Sequence, residues 1–262
     1  MGILEGRVAI ITGAGQGLGE GAAKAMSREG ASVALLGRTY EKVERVANEI
    51  NAAGGHALAI KCDVSDFAQI EAAAKLTVET FGQLDILATN HFAFAPYAPV
   101  ESTPAETWEY HFKNNLMGTV FCMQACFPYL KECASRGYQG KVITYGSNSG
   151  TCGSINMSAY AASKEGVRGL TRVAATEWGK YNINVNCILP NGESPAWQAT
   201  KAVRTNEEIE ATLSKFLLRR PNQSTGDPIH DIGGAVVFLA SSYSDWVTGR
   251  SLFVDGGRGY YL

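Results

Sequence analysis

Seven short apolar runs recur along this chain, each separated from the next by a longer stretch of helical period or, once, by an irregular excursion. They are Val8–Thr12, Ser32–Leu36, Ala57–Cys62, Ile86–Thr89, Lys141–Tyr145, Asn184–Leu189 and Ser251–Val254. Runs of strand length read as β-strands alternating with helices, the pattern of βαβ units. They show little polar alternation, which suits strands buried on both faces: a mostly parallel sheet with helices packed on each side. With 262 residues, 45% of them hydrophobic, the chain can bury one large core without disulfides or metals, so residues 1–262 are expected to form a single domain. The excursion, Asn191 to Pro221, carries an amphipathic stretch from about Glu207 to Leu218. It is long for a connection in such a fold, and is expected to act as a substrate lid at about 191–221.

Charge narrows the function. Lys and Arg number 23 against 25 Asp and Glu, a net charge of −2, and no basic run exceeds Arg219-Arg220, so no nucleic-acid partner is expected. The beginning, Met1-Gly2-Ile3-Leu4-Glu5-Gly6, lacks the charged-then-apolar order of a signal peptide, and Val8 to Ile11 is far too short to span a bilayer. Gly6 stands where a myristoylation motif wants Ser or Thr. These features lead us to expect a soluble, cytoplasmic protein without a membrane partner. Six cysteines show no Cys-x-x-Cys pair; Cys122 and Cys126 stand one helical turn apart, but no second pair completes a metal site. Reduced structural thiols and no metal are expected.

The first strand runs into Thr12-Gly13-Ala14-Gly15-Gln16-Gly17-Leu18-Gly19, after which the helical pattern resumes at once. Glycines there let the backbone turn sharply and approach a pyrophosphate, which the first-turn N–H groups and the helix dipole stabilise. That junction predicts a dinucleotide-binding, Rossmann-type doubly wound α/β fold. The second strand ends at Leu36-Gly37-Arg38-Thr39, where an acidic residue would bind the adenosine ribose. Here no acid is present; Gly37 leaves room for a 2′-phosphate and Arg38 can pair with it. NADP(H) is therefore the expected cofactor, with NAD(H) possible.

Tyr160 and Lys164 stand four apart in a helical stretch, so both project from one face, roughly 5–6 Å apart at Cβ. Reducing a ketone by hydride requires a proton donor at the carbonyl oxygen. A phenol titrating at about pH 10 is a poor base for the reverse direction unless a cation stabilises its phenolate, and Lys164 supplies that charge. Ser147 stands thirteen residues before Tyr160, at the end of the strand that leads towards this helix.

These motifs, with Asn114-Asn115-Leu116-Met117-Gly118 and Val254-Asp255-Gly256-Gly257, resemble the classical short-chain dehydrogenase/reductase family from about residue 6 to 258. The resemblance implies an Asn115–Ser147–Tyr160–Lys164 tetrad, in which the Asn115 carbonyl holds a water that contacts the lysine. It implies a cofactor site built from Gly13, Gln16, Gly17, Leu18, Gly19, Arg38, Thr39, Asp63, Val64, Asn90, Tyr160, Lys164 and Pro190. For Asp63 the alternative is a helix cap near Ser65 or Asp66. The Tyr-x-x-x-Lys spacing argues against the enoyl-reductase branch, and Lys164 rather than Arg argues against the dehalogenating relatives.

The chain departs from the family pattern at several points. Gln16 stands where a second basic residue is common. His91 and Phe92 replace small residues after the fourth strand, and His91 reads as a packing or hydrogen-bonding residue. Asn191 and Glu193 alter the segment after Pro190, and the usual threonine falls at Pro195. The resemblance implies hydride transfer between NADP(H) and a secondary alcohol or ketone. Phe92, Phe94, Tyr97, Ile155, Met157 and Trp197 fall in the segments lining the family's substrate pocket, and their bulk suits a steroid, terpenoid or aryl ring system. A 3-oxoacyl-thioester reductase, and a catalytically silent nicotinamide-binding sensor or scaffold, are the alternatives. The stretches Ala105–Cys133 and Ser158–Lys180 carry apolar residues (Leu116, Val120, Phe121, Leu170 and Val173) that need not all face one sheet. The resemblance implies that these helices pair across a twofold axis, giving a homotetramer or homodimer.

Overall fold

The structure, a computed structural model, describes residues 2–202, 205–214 and 225–257. The chain runs through β1 (Val8–Thr12), α1 (Gly17–Arg28), β2 (Ser32–Gly37), α2 (Tyr40–Ala52), β3 (His56–Lys61), α3 (Phe67–Phe81) and β4 (Ile86–Thr89). A long helical stretch follows: α4 (Ala105–His111), a π-helical turn (Phe112–Met117) and α5 (Gly118–Lys131). Then come β5 (Gly140–Tyr145), the short α6 (Asn148–Cys152), α7 (Ser158–Trp178), β6 (Ile183–Pro190), α8 (Pro195–Ala202), α9 (Asn206–Leu213), α10 (Gly233–Ala240) and β7 (Ser251–Val254). The seven strands pair in the order β3-β2-β1-β4-β5-β6-β7, and every pairing is parallel. The "mostly parallel" of the sequence reading thus becomes wholly parallel.

Strand periodicity distributes the core between the two faces. Ala9, Ile11, Val33 and Leu35 join a cluster with Ala22 and Met26 of α1, Val43 and Val46 of α2, and Val236 of α10. Their neighbours Ile10, Ala34 and Leu36 join the opposite cluster, with Ile70 of α3, Cys122 and Cys126 of α5, and Ala174 of α7. Each fully buried aliphatic side chain contributes about 1.5–3 kcal/mol relative to exposure.

Helix α1 packs closely on the turn entering α10, because a Cβ on Gly21 would run into the Pro228 carbonyl. Gly21→Ala is expected to destabilise the fold by about 1–3 kcal/mol through overpacking. An unchanged urea midpoint would show that the two segments simply slide apart.

Local chemistry removes one alternative and corrects one expectation. Asp66, not Asp63, caps α3, accepting from the N–H groups of Ala68 at 3.0 Å and Gln69 at 3.4 Å. Asp63 instead accepts the Ser65 N–H at 2.9 Å, an Asx turn one step upstream. The expected continuous helix Ala105–Cys133 is broken by the π-turn Phe112–Met117, and α5 ends at Lys131. Such a turn inserts a residue and re-aims its neighbours; here it buries Asn114 and Asn115. Of the expected lid, residues 203–204 and 215–221 lie outside the described residues, including the end of its amphipathic stretch. On the outer helices Val173 is exposed, while Leu116, Val120, Phe121 and Leu170 are half-buried.

Candidate active site

Strand order reverses between β1 and β4, which leaves a crevice at the carboxyl ends of the strands. A cleft of about 540 Å³ opens there. Gly13 and Gly17 line it in the left-handed conformation, at φ 63° and 59°. Gln16 precedes α1 without a side-chain cap, so the first N–H groups of that helix are free for an anion. Leu18 also lines the cleft; Gly19 does not, because it is the packing glycine, where a Cβ would strike the Gly13 carbonyl and the Asn90 carboxamide. Asn90 lines the cleft and braces the loop, its Nδ2 donating to the Gly13 carbonyl at 3.2 Å.

Arg38 and Thr39 line one end, with Val64 and Cys62 nearby, whereas Asp63 is not among the lining residues. Lys42, which the sequence reading passed over, also lines this end, and its Nζ donates to Gln16 Oε1 at 2.7 Å. Its signal was a basic residue four positions after Arg38. Among the described residues no Asp or Glu lines the cleft, and the cations that do are Arg38, Lys42 and Lys164.

Ser147, Tyr160 and Lys164 meet at the other end. Ser147 caps α6, its Oγ accepting the Ser149 N–H at 3.1 Å, which fixes the hydroxyl at the strand–helix junction. Tyr160 and Lys164 lie one turn apart on α7. Burial pushes the Lys164 ammonium down to about 8, and its Nζ donates to the Tyr145 carbonyl at 2.9 Å. Burial pushes the Tyr160 phenol up to about 12, while the neighbouring Ser147 hydroxyl pulls it down. Edge-on contacts hold the Tyr160 ring, with Phe92 at 5.6 Å and His111 at 5.7 Å between centroids.

Asn115 is wholly buried and does not line the cleft. Its carboxamide accepts the Ala93 N–H at 3.1 Å and donates to Ser163 Oγ at 3.1 Å and to His111 Nδ1 at 3.2 Å. Ser163 Oγ in turn donates to the Tyr160 carbonyl at 2.8 Å, tying the π-turn to the helix that carries the tyrosine. His111 was another residue the sequence reading missed; its signal was a position one turn before Asn115. His91 also lines the cleft, but both of its ring nitrogens are engaged. Its Nδ1 bonds Thr12 Oγ1 at 2.8 Å, its Nε2 lies 3.4 Å from Thr119 Oγ1, and burial pushes it down to about 3, so it stays neutral.

Pro190, Ser194 and Pro195 line the cleft beside Gly17, but Glu193 does not. The Glu193 carboxylate pairs with Lys201 Nζ at 2.9 Å and accepts from Thr225 Oγ1 at 3.0 Å, which turns it into the segment after β6. Of the expected pocket side chains, Phe92, Tyr97 and Met157 line the cleft; Phe94, Ile155 and Trp197 do not. Phe94 packs outside Tyr97 at 5.5 Å, Ile155 stays 86% exposed, and Lys201 lies over the Trp197 ring at 5.9 Å. Among the described residues no cluster of three metal-binding side chains occurs, and no helix is long and apolar enough to cross a membrane.

Residues 13–258 match a family model described as enoyl-(acyl carrier protein) reductase. The chain is also 36% identical to a 12alpha-hydroxysteroid dehydrogenase from a Clostridium species, over 99% of each chain. It belongs to the classical short-chain dehydrogenase/reductase family. Two solved structures are similar to it in fold. One is a 7 alpha-hydroxysteroid dehydrogenase complexed with NADH and 7-oxo glycochenodeoxycholic acid, 31% identical, TM-score 0.87, covering 99% of this chain and 96% of the other. The second is a 3-ketoacyl-(acyl-carrier-protein) reductase from Brucella melitensis complexed with NADH, 31% identical, TM-score 0.86, covering 98% of this chain and all of the other. As a short-chain dehydrogenase/reductase, the chain is an NAD(P)-dependent oxidoreductase of alcohols and ketones.

Proposed function

We propose that this short-chain dehydrogenase/reductase transfers a hydride between NADP(H) and a hydrophobic cyclic secondary alcohol or ketone. The observation that carries the reading is one cleft shared by the glycine loop, Arg38 and the Ser147–Tyr160–Lys164 group, with no carboxylate in its lining among the described residues. The loop's left-handed glycines and uncapped helix start fit a pyrophosphate, and the cleft's cationic end fits a 2′-phosphate. When bound, the nicotinamide supplies or accepts the hydride.

In reduction, Tyr160 gives its proton to the carbonyl oxygen, which the Ser147 hydroxyl holds in place. Lys164, a cation below about pH 8, stabilises the resulting phenolate. Asn115 acts as a positioning residue through Ser163 and His111, and Pro190 and Asn90 shape the cofactor's seat. Phe92, Tyr97 and Met157 form an apolar wall beside Tyr160, which suits a ring system better than a sugar. The excursion at about 191–221 is proposed as the substrate lid.

The Brucella reductase's similarity favours one second reading, a 3-oxoacyl-thioester reductase. NADPH oxidation with cyclic ketones and with 3-oxoacyl thioesters separates the two, and inactivity on every ketone would favour a silent sensor. Arg38→Asp is expected to shift preference towards NAD(H), because a charge-assisted pair becomes repulsion. Equal wild-type efficiencies with NADH and NADPH would overturn the cofactor reading. The outer helices α5 and α7 are proposed to pair across a twofold axis in a homotetramer or homodimer; light scattering of an active monomer at micromolar concentration would refute that.

A further inference from the structure

We infer that Lys42, held against Gln16, is a second cation for the 2′-phosphate of the adenosine ribose, and thus a specificity-determining residue. The inference rests on the NADP(H) reading above. It starts from the charge balance where α1, α2 and the glycine loop meet. Four basic side chains crowd this edge, and two are already neutralised. Lys24 pairs with Glu20 and Glu49, each at 2.6 Å. Arg45 pairs with the same two carboxylates at 2.6 Å and 2.7 Å, and both acids are held below the usual carboxylate range by these partners, against desolvation at Glu20. Among the described residues Arg38 and Lys42 make no ion pair, and both line the cleft.

Lys42 is also placed rather than left to wander. Its stem lies against the glycine loop so closely that a Cβ on Gly15 would come within 2.8 Å of Lys42 Cβ and 3.3 Å of its backbone. Its Nζ is anchored at 2.7 Å on an amide oxygen, which orients the ammonium without cancelling its charge. An ammonium has three donors, so two remain for an anion. Arg38 brings a planar fork and Lys42 a point charge, two complementary ways to hold one phosphate. Gln16 is therefore the acceptor that suits a cation arriving from α2; a lysine at position 16 would repel it.

The test is calorimetric titration of the full chain with adenosine 2′,5′-bisphosphate and with AMP, alongside Kd values for NADPH and NADH. Lys42→Ala is expected to weaken the bisphosphate and NADPH about tenfold, since one charge-assisted contact is lost. AMP and NADH should stay within about twofold, Lys42→Arg should recover part of the loss, and Gln16→Ala should lose less than Lys42→Ala. Lys42 is exposed, so its removal leaves the core intact. If the wild type prefers NADPH and Lys42→Ala weakens both cofactors equally or neither, the inference fails and the NADP(H) reading stands. If the wild type binds bisphosphate no better than AMP, both fail together.

Discussion

Replacing Tyr160 by phenylalanine is expected to lower turnover by roughly 10²–10⁴-fold while cofactor Kd stays within about twofold. Phenylalanine keeps the ring, and with it the edge contacts to Phe92 and His111 that hold α7 in place. Only the hydroxyl is lost, so the change removes the proton donor and little else. Because that proton moves in the transition state, kcat and kcat/KM should fall together, with KM nearly unchanged. Stopped-flow single turnovers with saturating cofactor measure the chemical step directly. Activity within tenfold of the wild type would remove Tyr160 from the mechanism.

Lys164→Ala should be equally severe near neutral pH, and its pH dependence tells more. Burial pulls Lys164 down to about 8, so the wild-type lysine is a cation below that pH and loses its charge as the pH rises through it. Burial keeps the resting Tyr160 phenol protonated well above neutral pH, so there the cation acts on the phenolate that develops as the proton moves. Ketone reduction by the wild type should therefore be flat below about pH 8 and decline above it, long before the phenol itself ionises. In the variant this limb disappears. Alcohol oxidation, which needs phenolate, should then return only at high pH, rising about tenfold per pH unit as the unaided phenol ionises. The variant also leaves the Tyr145 carbonyl without its 2.9 Å donor, a loss of about 1 kcal/mol, so thermal unfolding must accompany the kinetics. A variant with neutral-pH oxidation comparable to the wild type would refute the role assigned to the cation.

Much of the architecture was legible because it is written in short-range periodicity. The strand runs announced themselves by length and continuous apolar character, and the structure moves their ends by no more than one residue. Tyr160 and Lys164 were legible as a pair for the same reason, since four residues on a helix share a face whatever surrounds them. Asn115 was legible as a position but not as an arrangement. Its contacts reach Ala93 and Ser163, which stand 22 and 48 residues away, and no local pattern encodes them.

What the sequence by itself determined was the alternation of strand and helix, the left-handed turn demanded by the glycine loop, and the absence of an acid after β2. Each follows from backbone sterics or the chemistry of a few adjacent residues. Only the tertiary structure decided where the long side chains spend their polar ends. It turned Glu193 towards Lys201 and Thr225, set neutral His91 between Thr12 and Thr119, and brought Lys42 to Gln16. Most of these choices bring together groups distant in the chain, and the packing of helices on the sheet determines which of them come within hydrogen-bonding reach. Because a buried polar group left unpaired costs more than a formed bond returns, each side chain settles on whichever partner that packing provides.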